Sequence, residues 1–305
     1  MTRTPTQPLT QIECPLCGNP ESFDVMRVQD WLVTQNWFTL MECPRCTGRF
    51  IQPFPREDEL PAYYQSEAYI SHTDTKKGLI NRLYRLARKK TLRSKRRRIE
   101  KASGLKKGKL LDIGAATGHF LHTMQKAGWD VCGVEPDESA RKRAKDHFGL
   151  TIFPQEDLKA LTERTFDVIT LWHVLEHIHD LHGTLEHIRR LLKPSGILVV
   201  AVPNYLSYDA RYYGKHWAAW DPPRHLYHFT PKAMKQLMTS HKLRITSQKR
   251  MPLDSFYISL LSEKIHKHNS PIRGLTIGKI SWLKSLFQPE KCSSITYFGR
   301  VESRE

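Results

Sequence analysis

A chain of 305 residues has room for one full α/β domain and a smaller module beside it. Hydrophobic residues make up 39%, enough for a buried core, and no apolar run approaches the ~20 residues that span a bilayer. Of the formal charge of +17, the stretch from Arg82 to Lys109 carries +13 (fourteen Lys or Arg against Glu100), leaving +4 elsewhere, which excludes a uniformly basic surface.

The N-terminal MTRTPTQPLTQ is polar and lacks the apolar core of a signal peptide, so a cytoplasmic protein is expected. Next come two CxxC knuckles, Cys14-Pro15-Leu16-Cys17-Gly18 and Cys43-Pro44-Arg45-Cys46-Thr47-Gly48. Twenty-five residues separate them, a spacing that suits four thiolates arranged tetrahedrally around Zn²⁺. With all four positions filled by protein, such a zinc is structural and does no chemistry. A zinc ribbon over residues 1–60 is therefore expected, its filling supplied by Trp31, Trp37, Phe38 and Phe50. Cys132 and Cys292 have no partner pattern and read as ordinary thiols.

Residues 61–108 read as a linker carrying a basic amphipathic helix, with Leu79, Leu83, Leu86 and Ala87 on one face. Two readings stay open for it. One is a solvated helix with a single greasy stripe. The other is a contact for an anionic partner (lipid headgroups, a phosphorylated glycan or RNA), and the lipid version would set the protein against the inner face of the membrane.

From 109 to 305 the pattern alternates in the α/β manner. KLLDI predicts a strand and Thr117 to Ala127 a helix; WDVCGVE predicts a strand ending on Glu135 and Asp137 to Phe148 a helix. A short strand near Leu150 to Phe153 precedes Glu156-Asp157-Leu158. FDVITLW is a strand, and HVLEHIHDLHGTLEHIRRLLKP predicts one long helix stopped by Pro194. GILVVAVP is a buried strand, PKAMKQLMTSHK a helix, and LRITSQKR and SSITYFGRV two closing strands. Between these last two lies an apolar, basic insertion at about 251–292, which reads as a substrate lid, a face for a homodimer or an interfacial helix pair.

The strand-to-helix turn LLDIGAATGHF (110–120) poses the ligand question. A dinucleotide site needs G-x-G-x-x-G so that backbone amides meet pyrophosphate. Here the spacing is D-x-G-x-x-x-G, and Asp112 would repel a phosphate. The acid suits a cationic, phosphate-free ligand such as S-adenosylmethionine. Glu135, twenty-three residues on, stands where a ribose diol would be held.

With these motifs, residues 80–302 resemble a class I S-adenosylmethionine-dependent methyltransferase, an α/β Rossmann-like fold with a seven-stranded sheet. The wording WHVLEH (172–177), PRHLYHFTP (223–231), ECPRC…IQPFP (42–46, 51–55) and YYQSEAYISH (63–72) is similar to that of zinc-ribbon methyltransferases from bacterial biosynthetic clusters. The resemblance implies that Asp112, Gly114, Ala115 and Gly118 hold the methionine end. It implies that Glu135 and Pro136 meet the ribose, Asp157 and Leu158 the adenine, and that Trp172 and His173 lie at the reactive face. The departure is Ala116, where such loops more often carry glycine.

On the acceptor side, methyl transfer needs alignment, plus a base if the acceptor is a hydroxyl. The candidate bases are His173, His225 and His228. The stretch 216–228, with His216, Trp217, Trp220 and Arg224, is expected to form the substrate wall, with Arg224 pairing with an anionic group on the acceptor. His225 and His228 packing or capping the following helix is the structural alternative. His173, Glu176 and His177, at i, i+3 and i+4, also form a metal-ligand pattern on a helix, which resembles the acidic divalent-ion motif of ubiquinone-pathway O-methyltransferases. Asp221-Pro222-Pro223 resembles the DPPY of amino-directed nucleic-acid methyltransferases, but it does not follow the fourth strand and Arg224 replaces the aromatic, so nucleic acid is the weaker partner. The reading is an enzyme O-methylating a small-molecule, sugar or lipid-linked acceptor. The alternatives are a noncatalytic zinc-ribbon protein binding a ligand or RNA on the same fold, and an RNA methyltransferase.

Overall fold

The computed structural model describes residues 11–64, 79–266 and 269–302, with the backbone alone over 79–87. The polar start of the chain, residues 65–72 of the YYQSEAYISH stretch and the side chains of the Leu79, Leu83, Leu86 and Ala87 stripe lie outside the described residues.

Two sheets form. The larger has the order β5-β4-β6-β7-β10-β9, built from β4 (Lys109–Ile113), β5 (Asp130–Val134), β6 (Phe166–Trp172), β7 (Leu192–Pro203), β9 (Leu243–Arg250) and β10 (Ser294–Val301). β4 runs parallel to β5 and β6, and β6 parallel to β7, while β10 is antiparallel to both β7 and β9. The seventh place at the outer edge of β5 is a single parallel bridge, Val134 to Phe153. FDVITLW became β6 because its apolar residues fall on both faces, as in a strand covered on both sides, with Asp167 and Thr170 satisfied by hydrogen bonds.

Helices cover the sheet: α1 (Leu79–Ser103), α2 (His119–Gln125), α3 (Glu138–Phe148), α4 (Leu181–Leu191), α5 (Tyr208–Tyr213) and α6 (Pro231–Ser240). Asp137 caps α3 by accepting from the Ser139 and Ala140 amides, and Gly149 ends it at φ 66°. The insertion is a helical pair, α7 (Asp254–Ile265) and α8 (Pro271–Phe287).

One expected element divides. The long helix over 173–194 is instead a left-handed residue at His173 (φ 59°), a 3-10 turn at Leu175–His177, and α4 begun afresh at Asp180. The Asp180 carboxylate accepts from the Gly183 amide at 2.9 Å, so a second N-cap competes inside what looked like a helix interior. β7 then starts at Leu192, before Pro194.

The smaller sheet has the order β1-β2-β3-β8: β1 (Phe23–Gln29), β2 (Trp37–Glu42), β3 (Arg49–Gln52) and β8 (Tyr227–His228). Its fourth strand comes from late in the chain, so the cysteine module and the large domain share one core, in which Cys14, Leu16 and Phe50 join Leu171, Val200 and Leu226. Phe38 and Phe50 fill that core, whereas Trp37 is exposed.

Arg224 fastens this junction. It is buried, donates to Asp221 at 2.7 Å and Asp30 at 2.9 Å, and also to the Tyr63 carbonyl at 3.0 Å. Asp30 in turn accepts from the Leu32, Val33 and Thr34 amides, which shapes the β1–β2 turn. The expectation that Arg224 pairs with the acceptor is therefore corrected: its donors are spent inside the fold. Removing one partner of a buried ion pair strands the other charges, which typically costs ~3–5 kcal/mol. Arg224→Met is accordingly expected to lower the urea midpoint strongly, and Asp30→Asn less so; an Arg224→Met midpoint equal to the parent would show that the clasp holds nothing.

Candidate active site

β4 delivers Asp112, buried, to the carboxyl edge of the sheet, where Thr170 on β6 donates to it at 2.5 Å. The chain then turns through Gly114 at φ 72° and Gly118 at φ 75°. A Cβ on Gly114 would sit 2.4 Å from Val174, so only glycine lets the 172–177 segment close over this turn. Ala116 adopts φ 47° despite its methyl group, the strained conformation that glycine would relieve. Its amide donates to Glu135 Oε2 at 2.8 Å, and the Asp137 amide donates to Oε1 at 3.0 Å. Glu135 is thus fixed by two backbone donors at the end of β5, its remaining lone pairs unspent. Pro136 beside it is exposed, as is Asp157 on the 3-10 turn Gln155–Ala160, whose Leu158 is buried.

The basic helix reaches into this site. Lys95 Nζ lies 3.9 Å from the centroid of the Trp172 ring, and its charge faces Asp112 and Asp254. Burial pulls its pKa down to about 8 against those two carboxylates. Burial likewise pushes the Asp112 carboxyl up to about 7, with the Thr170 bond and Lys95 opposing it. Sequence reasoning missed Lys95 because it sits inside a charge run. The available signal was its register: Leu92, Ile99 and Ala102 pack into the core, and Lys95 shares their face.

Beyond the 172–177 segment opens a cavity of about 440 Å³. Trp31 and Leu32 of the small module, Trp217, Trp220 and His225, and Tyr257, Ile258 and Leu261 of α7 border it. The insertion therefore supplies a wall, a role its sequence left open among three. Of the residues expected here, His173, Trp217, Trp220 and His225 border the cavity, while His216, Arg224 and His228 do not. His228 is buried against the Trp220 ring, 4.9 Å away, and burial holds it well below the usual histidine pKa. That corrects its reading as a base.

The other histidines divide the work. His173 lies with Nε2 3.0 Å from Asp254 and Nδ1 3.4 Å from Glu176. Burial alone would lower its pKa, but the two carboxylates outweigh that and raise it to about 9. A group already protonated at neutral pH cannot be the base, so that expectation is corrected too. His225 Nδ1 lies 2.9 Å from the Ala219 carbonyl, which can only accept, so Nδ1 carries the proton and Nε2 keeps its lone pair. His177 makes the same use of the Arg224 carbonyl at 3.0 Å, and burial with the His225 charge pulls it down to about 4. Glu176, His177 and His225 bring ligand atoms within 4.8 Å of one another, and both Glu176 oxygens lack a hydrogen-bond donor among the described residues. This donor set could hold a divalent ion. His225 takes the place expected of His173 in it, because the backbone breaks at His173.

The four cysteines also converge. Cys14 and Cys46 sulfurs lie 3.7 Å apart and those of Cys17 and Cys43 3.6 Å, close to the ~3.8 Å edge of a tetrahedron with ~2.3 Å zinc–sulfur bonds. The Gly48 amide donates to Cys46 Sγ at 3.3 Å, as a thiolate ligand invites.

A methyltransferase-domain family model matches residues 84–248. The chain belongs to this family, the class I S-adenosylmethionine-dependent methyltransferases. The ubiquinone biosynthesis O-methyltransferase of Actinobacillus pleuropneumoniae serotype 7 (strain AP76) is 37% identical over 118 residues, 34% of this chain and 50% of that one. That of Rhodopseudomonas palustris (strain TIE-1) is 26% identical over 151 residues, 46% and 60% of the two chains. The chain spans about half the length of the curated relatives it matches. In fold it is similar to a protein of Galdieria sulphuraria provisionally assigned as a sarcosine dimethylglycine methyltransferase, with a TM-score of 0.51 and 15% identity over 81% of this chain and 99% of that one. The family implies S-adenosylmethionine.

The His173 shift has a consequence for stability. A histidine whose folded pKa is raised from 6.5 to about 9 stabilises the fold fully below pH 6.5 and loses that contribution as pH climbs to 9. The melting temperature is expected to fall over that window, and His173→Gln to flatten the fall. Parent and variant curves that stay parallel in scanning calorimetry would break the assignment.

Proposed function

We propose that this methyltransferase moves the methyl group of S-adenosylmethionine onto a hydroxyl of a small-molecule, sugar or lipid-linked acceptor. The observation that carries the reading is His225: its Nδ1 proton is committed to a carbonyl, so Nε2 is the base nitrogen at an apolar cavity that shares the 172–177 wall with the cofactor turn.

The residues fit the cofactor. Asp112 would face the ammonium and Lys95 the carboxylate of its methionine end, beside Gly114, Ala115 and Gly118. Glu135, next to Pro136, would take the ribose hydroxyls, and Asp157 with Leu158 the adenine. Trp172 and His173 would close the reactive side. Bound there, the cofactor supplies a sulfonium methyl carbon to a nucleophile aligned with its sulfur. His225 Nε2 takes the acceptor proton, and the new imidazolium faces the carboxylates of Glu176 and Asp221. His173, held as a cation, keeps the buried Glu176 ionised for that purpose. Trp217 and Trp220 flank the acceptor and exclude water. Cys14, Cys17, Cys43 and Cys46 would hold a Zn²⁺ that braces the small module, and through β8 the wall that carries His225.

Three measurements test this. Glu135→Ala should weaken S-adenosylmethionine binding by about 30–150-fold in calorimetry, the equivalent of ~2–3 kcal/mol for lost bonds to a charged group. Unchanged affinity removes the ribose assignment. With an acceptor found by transfer of labelled methyl, His225→Ala should slow turnover ~10²–10⁴-fold and leave cofactor affinity intact. A variant as fast as the parent would dismiss His225 as the base, whereas a parent rate that needs added Mg²⁺ or Mn²⁺ would make it a metal ligand instead. Elemental analysis of protein purified without chelator should find about one zinc per chain. None would dismiss the ribbon.

A further inference from the structure

The α7–α8 pair is built inside out. α8 turns Gly274, Ile277, Gly278, Ser281 and Ser285 inward, and α7 turns Ser255, Ile258, Ser259, Ser262 and Glu263 inward. A Cβ on Gly278 would lie 2.7 Å from the Cα of Phe256, so the two helices touch backbone to backbone. On α8 most of the bulky side chains face out: Ile272 is 80% exposed and Phe287 86%, with Leu275, Leu283 and Leu286 also exposed, and Tyr257 of α7 is exposed too. A helix packed against a water-soluble core carries the opposite pattern. Small residues inward and bulky apolar ones outward is how helices pair where the surroundings are hydrocarbon.

We propose that this outward face of α7 and α8 rests on an anionic lipid surface. Charge favours that occupant. Lys264, Lys279 and Lys284 are exposed on the pair. Its acids are largely spent within the protein, Glu263 on Arg273 at 2.8 Å and Asp254 on His173 at 3.0 Å, with Glu290 exposed just past α8. The basic helix is tied to the same region: Arg98 donates to the Arg250 carbonyl at 2.9 Å, and Arg250 to Ser285 at 3.2 Å. Among the described residues no helix is long and apolar enough to cross a membrane, so the pair lies along the interface. Tyr257 and Lys264 of α7 border the cavity, so its mouth opens beside the docking face. A lipid-linked acceptor entering from that side rests on the methyl-transfer reading; the docking itself does not.

The test reads binding alone. The full chain is sedimented with vesicles of phosphatidylcholine and with vesicles of phosphatidylcholine mixed with phosphatidylglycerol. It is expected to follow the anionic vesicles, less at high salt. The Ile272→Glu, Phe287→Glu double variant, altered only at exposed positions, should bind them roughly tenfold more weakly or worse while its S-adenosylmethionine affinity and circular dichroism match the parent. Three results would each overturn the proposal: a parent that ignores both vesicle types, a variant that binds as well as the parent, or a parent dimer that the variant splits without loss of vesicle binding. The last would make the face an interface between copies.

Discussion

The arrangement of this protein hangs on a buried cation. Arg224 comes from the loop before β8, yet its guanidinium is answered by Asp221, by Asp30 in the β1–β2 turn and by the Tyr63 carbonyl. A guanidinium cannot shed its charge to escape burial, so the fold must bring all three acceptors to it. Doing so fixes the cysteine module against the large sheet. The same step sets Trp31 and Leu32 opposite Trp220 and His225, which makes the cavity a junction between parts far apart in the chain.

The site works by the same economy of buried charge. Lys95, Asp112, His173, Glu176 and Asp254 come from α1, β4, the segment after β6, and α7. No pair of them is adjacent in sequence. Burial draws Lys95 toward its neutral form and Asp112 toward its protonated form, and each is opposed by the charge of the other. A zwitterionic ligand bearing a cation for Asp112 and an anion for Lys95 would restore both. Under the proposed function, that is the reason the turn after β4 carries an acid where a pyrophosphate site carries glycine amides.

What the sequence made legible follows from which forces act locally. Strands such as FDVITLW and LRITSQKR matched their observed bounds because burial on two faces, or alternation on one, is written in consecutive residues. The cysteine knuckles were legible because metal geometry fixes their spacing. The helix over 173–194 was misread because periodicity continued across a second cap at Asp180, and the left-handed His173 leaves no sign in the pattern. Arg224 and His228 were misplaced for another reason: residue type does not distinguish a cation facing a ligand from one consumed by distant carboxylates. That distinction lives in tertiary contacts alone.

The insertion shows the same limit from the other side. Its apolar content was visible at once, but the direction of that apolar surface was not. On α8 the positions at helical spacing that a water-facing protein would fill with leucine are Gly274, Gly278, Ser281 and Ser285, and the leucines occupy the remaining face. Close approach at Gly278 makes the pairing tight with little hydrophobic burial beyond Ile258 and Ile277, since van der Waals contact and backbone proximity carry much of it. A wall built this way can border the cavity on one flank and leave Phe287 and Ile272 unburied on the other. Leaving side chains of that size in water on a 17-residue helix is a standing cost, and it is relieved only if something apolar covers them.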